Sequence, residues 1–188
     1  MTLLPLFELS RLIVTGKDRA KYLHNFCTNN IKELPSGKAC EAFFCDVKAR
    51  VIAHGYILAF DDSHEIWMLG GEEAGLLKHL NRYIITEDVT ISSGTELTSV
   101  IAAMGEVSAN ALLLSMQQPE CLFLDPLSCA GLKIRDVGPG LITATAIAVT
   151  WAGTPMIWMA TTHDGNMMPL PAEAGAAAVE FEQLRIRE

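Results

Sequence analysis

The residues best suited to chemistry in this sequence lie close together between positions 50 and 56. Arg50, His54 and Tyr56 fall at even spacing in a run with β-branched residues, which predicts a strand. Because alternate side chains of a strand point to one face, a cation, an imidazole and a phenol would share a surface. Such a surface can stack on an aromatic ligand and neutralise an anionic group. The alternative is that these residues form the solvated face of a sheet.

The sequence lacks the common signatures of other catalytic sites. It contains no GxGxxG, Walker, GxSxG or HExxH motif, which excludes the usual nucleotide-binding, hydrolase and metalloprotease patterns. None of the five histidines lies four residues from another, so their spacing predicts no metal site. The five cysteines form no CxxC pair, which is typical of reduced thiols in a cytosolic protein. With no signal-peptide or transmembrane pattern either, we expect a cytoplasmic location.

The composition indicates a folded protein, for which we expect a small molecule rather than nucleic acid or a membrane as the partner. Half of the 188 residues are hydrophobic and 19% are charged, a balance that supports a buried core. The formal net charge of −8 disfavours nucleic acid as a partner, and no feature favours a membrane. Eight of the 14 Lys and Arg residues lie in residues 1–50, where an anionic ligand would find its most favourable field. The alternative is that these charges only solvate the surface.

The periodicity predicts an α+β fold with mostly antiparallel sheets and packed helices. Most connections are too short for parallel crossovers. Asp61-Asp62-Ser63 is a predicted hairpin turn. Helices are predicted at 17–28, 72–84, 106–116 and 172–186. Strands are predicted at 39–46, 50–60, 65–69, 89–92, 99–104, 121–124, 132–136, 142–149 and 155–161. The helix at 17–28 should bury Leu23 and Phe26.

Residues 14–58 carry a pattern that resembles a known family. They resemble the opening of the YgfZ-like folate-binding proteins, which are related to the T-protein, the aminomethyltransferase of the glycine cleavage system. The family pattern is V-x-G-x-D-A, then T-N/D, L-x-x-G and D-P-K-G-R-V. The matching residues are Val14, Gly16, Asp18, Ala20, Leu23, Thr28, Asn29, Leu34, Gly37, Asp46, Lys48, Arg50 and Val51. Later stretches at 80–91 and 184–186 are also similar, so the resemblance spans nearly the whole chain.

The resemblance implies an architecture and a ligand. Residues 1–48 with 140–188 would form a folate-binding-type unit, and 49–139 an inserted ferredoxin-like unit. The C-terminal barrel of the relatives and its K-G-C-Y-x-G-Q motif are not in this sequence. Tetrahydrofolate is the implied ligand. The implied ligand-binding residues are Arg50, His54, Tyr56, Thr28 and Asn29.

One departure from the family bears on activity. Where the T-protein has G-G-I-L-D-D with its catalytic aspartate, this chain has A-R-V-I-A-H, residues 49–54, and offers no carboxylate. We therefore expect an accessory protein that binds folate, serving one-carbon metabolism or iron–sulfur protein maintenance, without aminomethyltransferase activity. One alternative is a folate-dependent one-carbon transferase with altered catalytic groups, in which His54 acts as the base. Another is an interaction domain that no longer binds folate, with a methionine-rich contact surface.

Overall fold

The chain forms two compact units, each built on its own antiparallel sheet. The computed structural model describes residues 2–5, 9–69, 73–94, 98–104, 127, 129–134, 142–151 and 153–162. We call Glu8–Glu96 the continuous unit. Met1–Phe7 together with Leu97–Glu188 is the discontinuous unit. Every strand pair in the described residues is antiparallel, as the short connections predict.

The continuous unit contains a five-stranded sheet and two helices. The strand order is β3-β4-β5-β2-β6. The strands are β2 (Leu9–Thr15), β3 (Ala39–Cys45), β4 (Val51–Ala59), β5 (Ser63–Leu69) and β6 (Thr90–Ser93), and the helices are α1 (Arg19–His24) and α2 (Glu73–Asn81). The predicted turn at Asp61-Asp62-Ser63 joins β4 to β5, where Phe60 N donates to Ser63 O at 2.8 Å.

One face of this sheet packs against the helices. Leu12, Ile57 and Ile66 lie side by side across three strands and are fully buried. Leu23 of α1 and Leu80 of α2 cover them in the same core cluster. The Tyr22 hydroxyl donates to the Leu80 carbonyl at 2.5 Å and ties the two helices together. Burial of the Tyr22 side chain, with the charge of Glu87 as a second cause, raises the pKa of Tyr22 to about 12.

Helix α1 is shorter than its predicted range of 17–28. It ends at His24 because the next residues turn towards strand β3. Cys27 forms an isolated bridge with Phe44, and Thr28 N donates to Phe43 O at 3.0 Å. The facing of the helix is as predicted, since Leu23 is buried and Phe26 packs at the edge of the core.

The discontinuous unit contains a second five-stranded sheet, with the order β1-β7-β10-β9-β8. Its strands are β1 (Thr2–Pro5), β7 (Thr98–Met104), β8 (Cys129–Ile134), β9 (Ile142–Trp151) and β10 (Thr154–Thr162). Trp158, Met156 and Met159 are buried in β10. These two methionines therefore fill a core rather than form a contact surface. The predicted helices at 106–116 and 172–186 and the predicted strand at 121–124 lie outside the described residues.

The bounds of the two units differ from the predicted ones, 1–48 with 140–188 and 49–139. Strands β3 and β4 lie on either side of residue 48 and pair along most of their length. This pairing places both strands in the same unit. The boundaries lie instead after Phe7 and after Glu96.

Candidate ligand-binding face of the continuous unit

The second face of the sheet carries a row of polar and aromatic side chains. Arg11 of β2 is paired with Trp67 of β5, Trp67 with Tyr56 of β4, and Tyr56 with Glu41 of β3. Directly paired residues of an antiparallel sheet present their side chains on the same face. We call these four residues the polar row. It runs across the sheet from a buried end at Arg11 to an exposed end at Glu41.

The buried end contains an ion pair. Arg11 and Glu65 are each only 6% exposed. Arg11 Nε donates to Glu65 Oε2 at 2.8 Å, and Arg11 Nη2 donates to Oε1 at 2.5 Å. Trp67 Nε1 donates to the same Oε2 at 2.8 Å. Such bidentate, charge-assisted bonds fix the orientation of all three side chains.

At the exposed end of the polar row, a carboxylate, an imidazole and a phenyl ring lie together. We call this cluster the open end, and its residues are Glu41, His54 and Phe43. His54 Nε2 lies 2.7 Å from Glu41 Oε1. The His54 and Phe43 rings stack with centroids 4.5 Å apart and planes inclined by 20°. Phe43 is nevertheless 43% exposed. The open end therefore offers an aromatic surface next to an acceptor.

Thr28 and Asn29 close the outer edge of β3 beside the open end. Phe43 N donates to Thr28 Oγ1 at 3.1 Å, and Thr28 N donates to Phe43 O at 3.0 Å. Asn29 Nδ2 donates to the carbonyl of Glu41 at 3.0 Å. The two residues therefore satisfy backbone groups that an edge strand would otherwise leave open.

Arg50 lies away from the open end, at the tip of the β3–β4 hairpin. Its Nε donates to Asp46 Oδ2 at 2.8 Å, while Asp46 Oδ1 accepts from Lys48 N and Arg50 N. These backbone bonds, and then the Arg50 side chain, lower the pKa of Asp46. Ala49 completes the turn with a φ of 58°, in the left-handed region that favours glycine. The Arg50 side chain remains 73% exposed.

A close approach of two strands sets the middle of the polar row. A Cβ added at Gly55 would lie 2.2 Å from the carbonyl oxygen of Trp67. Gly55 lies between His54 and Tyr56, so glycine lets β4 and β5 approach where these two side chains are placed. No L-residue with a side chain fits this position unless a strand shifts.

The structure brings together some of the residues that the sequence suggested. His54, Thr28 and Asn29 surround β3 at the open end, and Tyr56 lies buried within the polar row. Arg50 precedes β4 and does not contact them. The Arg50 side chain is mostly exposed to solvent, whereas Tyr56 is buried. The sequence pattern did not reveal four residues of this face. They are the ion pair of Arg11 and Glu65, the acceptor Glu41 and the aromatic residue Phe43.

A small pocket lies elsewhere on the continuous unit, beside α1. Its volume is about 160 Å³. Its lining consists of Asp18, Lys21, Tyr22, Asn25, Thr86 and Glu87. Two backbone amides, those of Ile85 and Thr86, donate to Glu87 and lower its pKa. The pocket contains none of the five residues that the sequence suggested as ligand-binding.

Two further properties concern only the described part of the chain. Within it, no group of three or more His, Cys, Asp or Glu side chains is arranged to hold a metal ion. No helix in the same residues is long and apolar enough to cross a membrane.

The fold is similar to that of a solved enzyme structure. The crystal structure of the glycine cleavage system aminomethyltransferase T from Bartonella henselae matches with a TM-score of 0.69 and 14% sequence identity. The match covers 97% of this chain and 45% of that one. This chain has a T-protein-like fold. The prediction of a T-protein-like fold with mostly antiparallel sheets is confirmed at this level, over less than half the length of the enzyme.

Sequence comparison gives a second relative. Over 106 residues the chain is 32% identical to a chloroplastic protein of Arabidopsis thaliana that carries a provisional transferase name. That stretch covers 55% of this chain and 24% of the relative. The sequence matches no protein-family model.

Proposed function

We propose that this protein binds a reduced folate or a related pterin-like compound on the polar face of its continuous unit. The observation that carries the proposal is the convergence of His54, Thr28 and Asn29 on the open end, beside the partly exposed ring of Phe43. A T-protein-like fold supports a folate as the ligand, because the solved enzyme of that fold is an aminomethyltransferase. On this basis the protein is a YgfZ-like accessory protein of one-carbon metabolism or iron–sulfur protein maintenance.

Arg50 supplies the cationic part of the proposed site. A folate carries an anionic glutamate tail, and guanidinium groups bind carboxylates through paired donors. Asp46 holds the Arg50 side chain at the hairpin tip, while most of that side chain faces solvent. The tail would therefore bind at the hairpin tip, away from the carboxylate of Glu41.

Calorimetric titration with tetrahydrofolate tests this proposal. The wild-type protein should bind, and Arg50→Ala should weaken binding about tenfold to a hundredfold, since charge-assisted hydrogen bonds contribute roughly 1.5–3 kcal/mol. Lys48→Ala removes a neighbouring exposed cation of the same hairpin and is the matched control. A wild-type protein that does not bind tetrahydrofolate would refute the proposal.

The contact between His54 and Glu41 favours a second candidate, a folate-dependent one-carbon transferase. A carboxylate 2.7 Å from one imidazole nitrogen orients the ring and leaves the other nitrogen to act as a general base. The transferase name of the plant relative agrees with this candidate. In it, His54 takes the proton of a folate nitrogen as that nitrogen bonds to the one-carbon unit. The bond from the one-carbon unit to the donor amine breaks, and His54 passes the proton to the released amine.

Mass spectrometry of the folate separates the two candidates. The protein is incubated with tetrahydrofolate and N-methylated amines, and one-carbon-substituted folates are then measured. Product that forms with wild type and is lost with His54→Gln supports the transferase. Binding of tetrahydrofolate without product supports the accessory protein.

A further inference from the structure

The open end has the chemistry of a site for a flat ring with N–H donors on its edge. Phe43 offers a partly exposed aromatic face that is held in place by stacking on His54. Glu41 uses Oε1 for the contact with His54, and its Oε2 makes no hydrogen bond with any described residue. A planar heterocycle lying on Phe43 can direct two adjacent N–H groups at this carboxylate. Stacking and charge-assisted bonding then act on the same ligand.

The edge of β3 is closed to a different kind of occupant. An exposed aromatic residue on an edge strand is a common place for an added β-strand. Here the amide and carbonyl of Phe43 are bonded to Thr28, and the carbonyl of Glu41 is bonded to Asn29. An incoming strand would find these backbone groups already used. The accessible chemistry at the open end is therefore that of the side chains.

Charge decides which part of a folate-like ligand fits. The carboxylate of Glu41 repels the anionic tail and attracts donors. Arg50 at the hairpin tip does the opposite. We infer that Glu41 and Phe43 bind the ring of the ligand, a 2-amino-4-oxo-pyrimidine-type edge, and that the tail is bound elsewhere. This inference rests on the proposed function, since it assigns the ring end of the same ligand to residues that the sequence did not suggest.

Fragments of the ligand test the inference. 6-Methylpterin carries the ring without the tail, and p-aminobenzoyl-glutamate carries the tail without the ring. Glu41→Gln should weaken binding of 6-methylpterin about tenfold to a hundredfold, because a charge-assisted acceptor is lost. It should leave binding of p-aminobenzoyl-glutamate unchanged or stronger. Glu33→Gln, which removes an exposed carboxylate elsewhere in the continuous unit, is the matched control.

Phe43→Leu gives an independent variant. It keeps an apolar side chain at a partly exposed position, so the fold should survive, and it removes the stacking surface. This variant should weaken the binding of 6-methylpterin and leave the binding of p-aminobenzoyl-glutamate unchanged. Thermal unfolding of both variants checks that they remain folded.

The outcomes are distinct. If wild type binds neither tetrahydrofolate nor 6-methylpterin, the proposed function fails and the inference fails with it. If wild type binds tetrahydrofolate while Glu41→Gln leaves 6-methylpterin binding unchanged, or weakens both fragments equally, the inference alone is overturned. An arginine side chain of a protein partner has the same planar donor edge. If Nα-acetyl-arginine amide competes with tetrahydrofolate for the protein and 6-methylpterin does not, the ring assignment is overturned in favour of that partner.

Discussion

Ala49 is the one non-glycine residue of the β3–β4 hairpin with a left-handed backbone. Its φ of 58° costs an alanine energy that glycine does not incur. The turn requires this conformation because both backbone amides at Lys48 and Arg50 converge on Asp46. The family pattern D-P-K-G-R-V has glycine at this position, which is consistent with that requirement.

We therefore expect Ala49→Gly to raise the free energy of unfolding by about 0.5–1 kcal/mol, measured by urea denaturation. Ala39→Gly is the control. It places glycine in a buried position of β3 and should lower stability. Equal losses in the two variants would show that the turn does not strain Ala49.

His64 makes stability depend on pH. It is 4% exposed, and neither of its ring nitrogens has a hydrogen-bond partner in the described residues. Burial, and secondarily the charge of Arg19, lowers its pKa from 6.5 to about 4. Between these values the unfolded chain takes up a proton that the folded chain does not, so stability falls as pH falls.

The expected loss from pH 7 to pH 4 is on the order of 3 kcal/mol from this residue alone. Urea denaturation of wild type and His64→Leu across this range measures it. The variant should lose markedly less stability than wild type on acidification. Parallel pH profiles for the two proteins would rule out His64 as the source.

At the residue scale, the sequence identified the residues that β4 contributes to the site better than those that β3 contributes. Even spacing placed His54 and Tyr56 on one face, and their face is shared in the structure. Spacing could not identify Glu41 or Phe43, because only the register between β3 and β4 brings them to His54. Register depends on turn geometry and packing across strands, which the period of one strand does not contain.

The elements depend on a small number of buried side chains, and Leu23 of α1 is one of them. It is fully buried in the core cluster beneath the two helices. Leu23→Ala should cost about 2–5 kcal/mol of unfolding free energy in urea denaturation. Lys21→Ala on the exposed side of α1 is the control and should change stability by less than about 0.5 kcal/mol. A neutral Leu23→Ala would contradict the facing of the helix.

Strand β2 is held to β5 partly by the buried ion pair. Arg11→Met should cost about 3–5 kcal/mol, because it leaves the Glu65 carboxylate buried without its cation. Adding Glu65→Leu should restore part of that loss. Chemical denaturation of the two single variants and the double variant gives the coupling energy. Additive losses would show that the pair is not coupled.

At the element scale, the sequence predicted most strands and missed β1 and β2. The β2 run L-S-R-L-I-V-T places a serine and an arginine inside an apolar stretch, which obscures the alternation of a half-buried strand. The structure explains the arginine, since Glu65 on the neighbouring strand neutralises it. A buried charge whose partner lies 54 residues away leaves no local signal.

At the scale of the whole molecule, the missing aspartate governs the expected activity. We expect no aminomethyl transfer with the lipoyl carrier protein, because His54 falls where the T-protein pattern has its catalytic carboxylate. The assay is release of ammonia from the aminomethyl-lipoyl carrier in the presence of tetrahydrofolate, with a T-protein as positive control. Turnover near the rate of that control would contradict the expectation.

At this scale, the class of fold could be predicted from the sequence, whereas the bounds of the two units could not. Short connections were sufficient to predict antiparallel sheets. The pairing of β1 with β7 joins Thr2–Pro5 to a strand that begins at Thr98. No composition shift marks such a long-range pairing, so the predicted bounds fell within a sheet.

That same pairing imposes an order on the chain as it leaves the ribosome. All five strands of the first sheet have been synthesised once residue 96 has been added, whereas β1 must wait for β7. Because synthesis proceeds at roughly 5–20 residues per second, the first four-residue strand remains unpaired for several seconds. During that interval the backbone groups that β1 later shares with β7 are open to water and to chaperones.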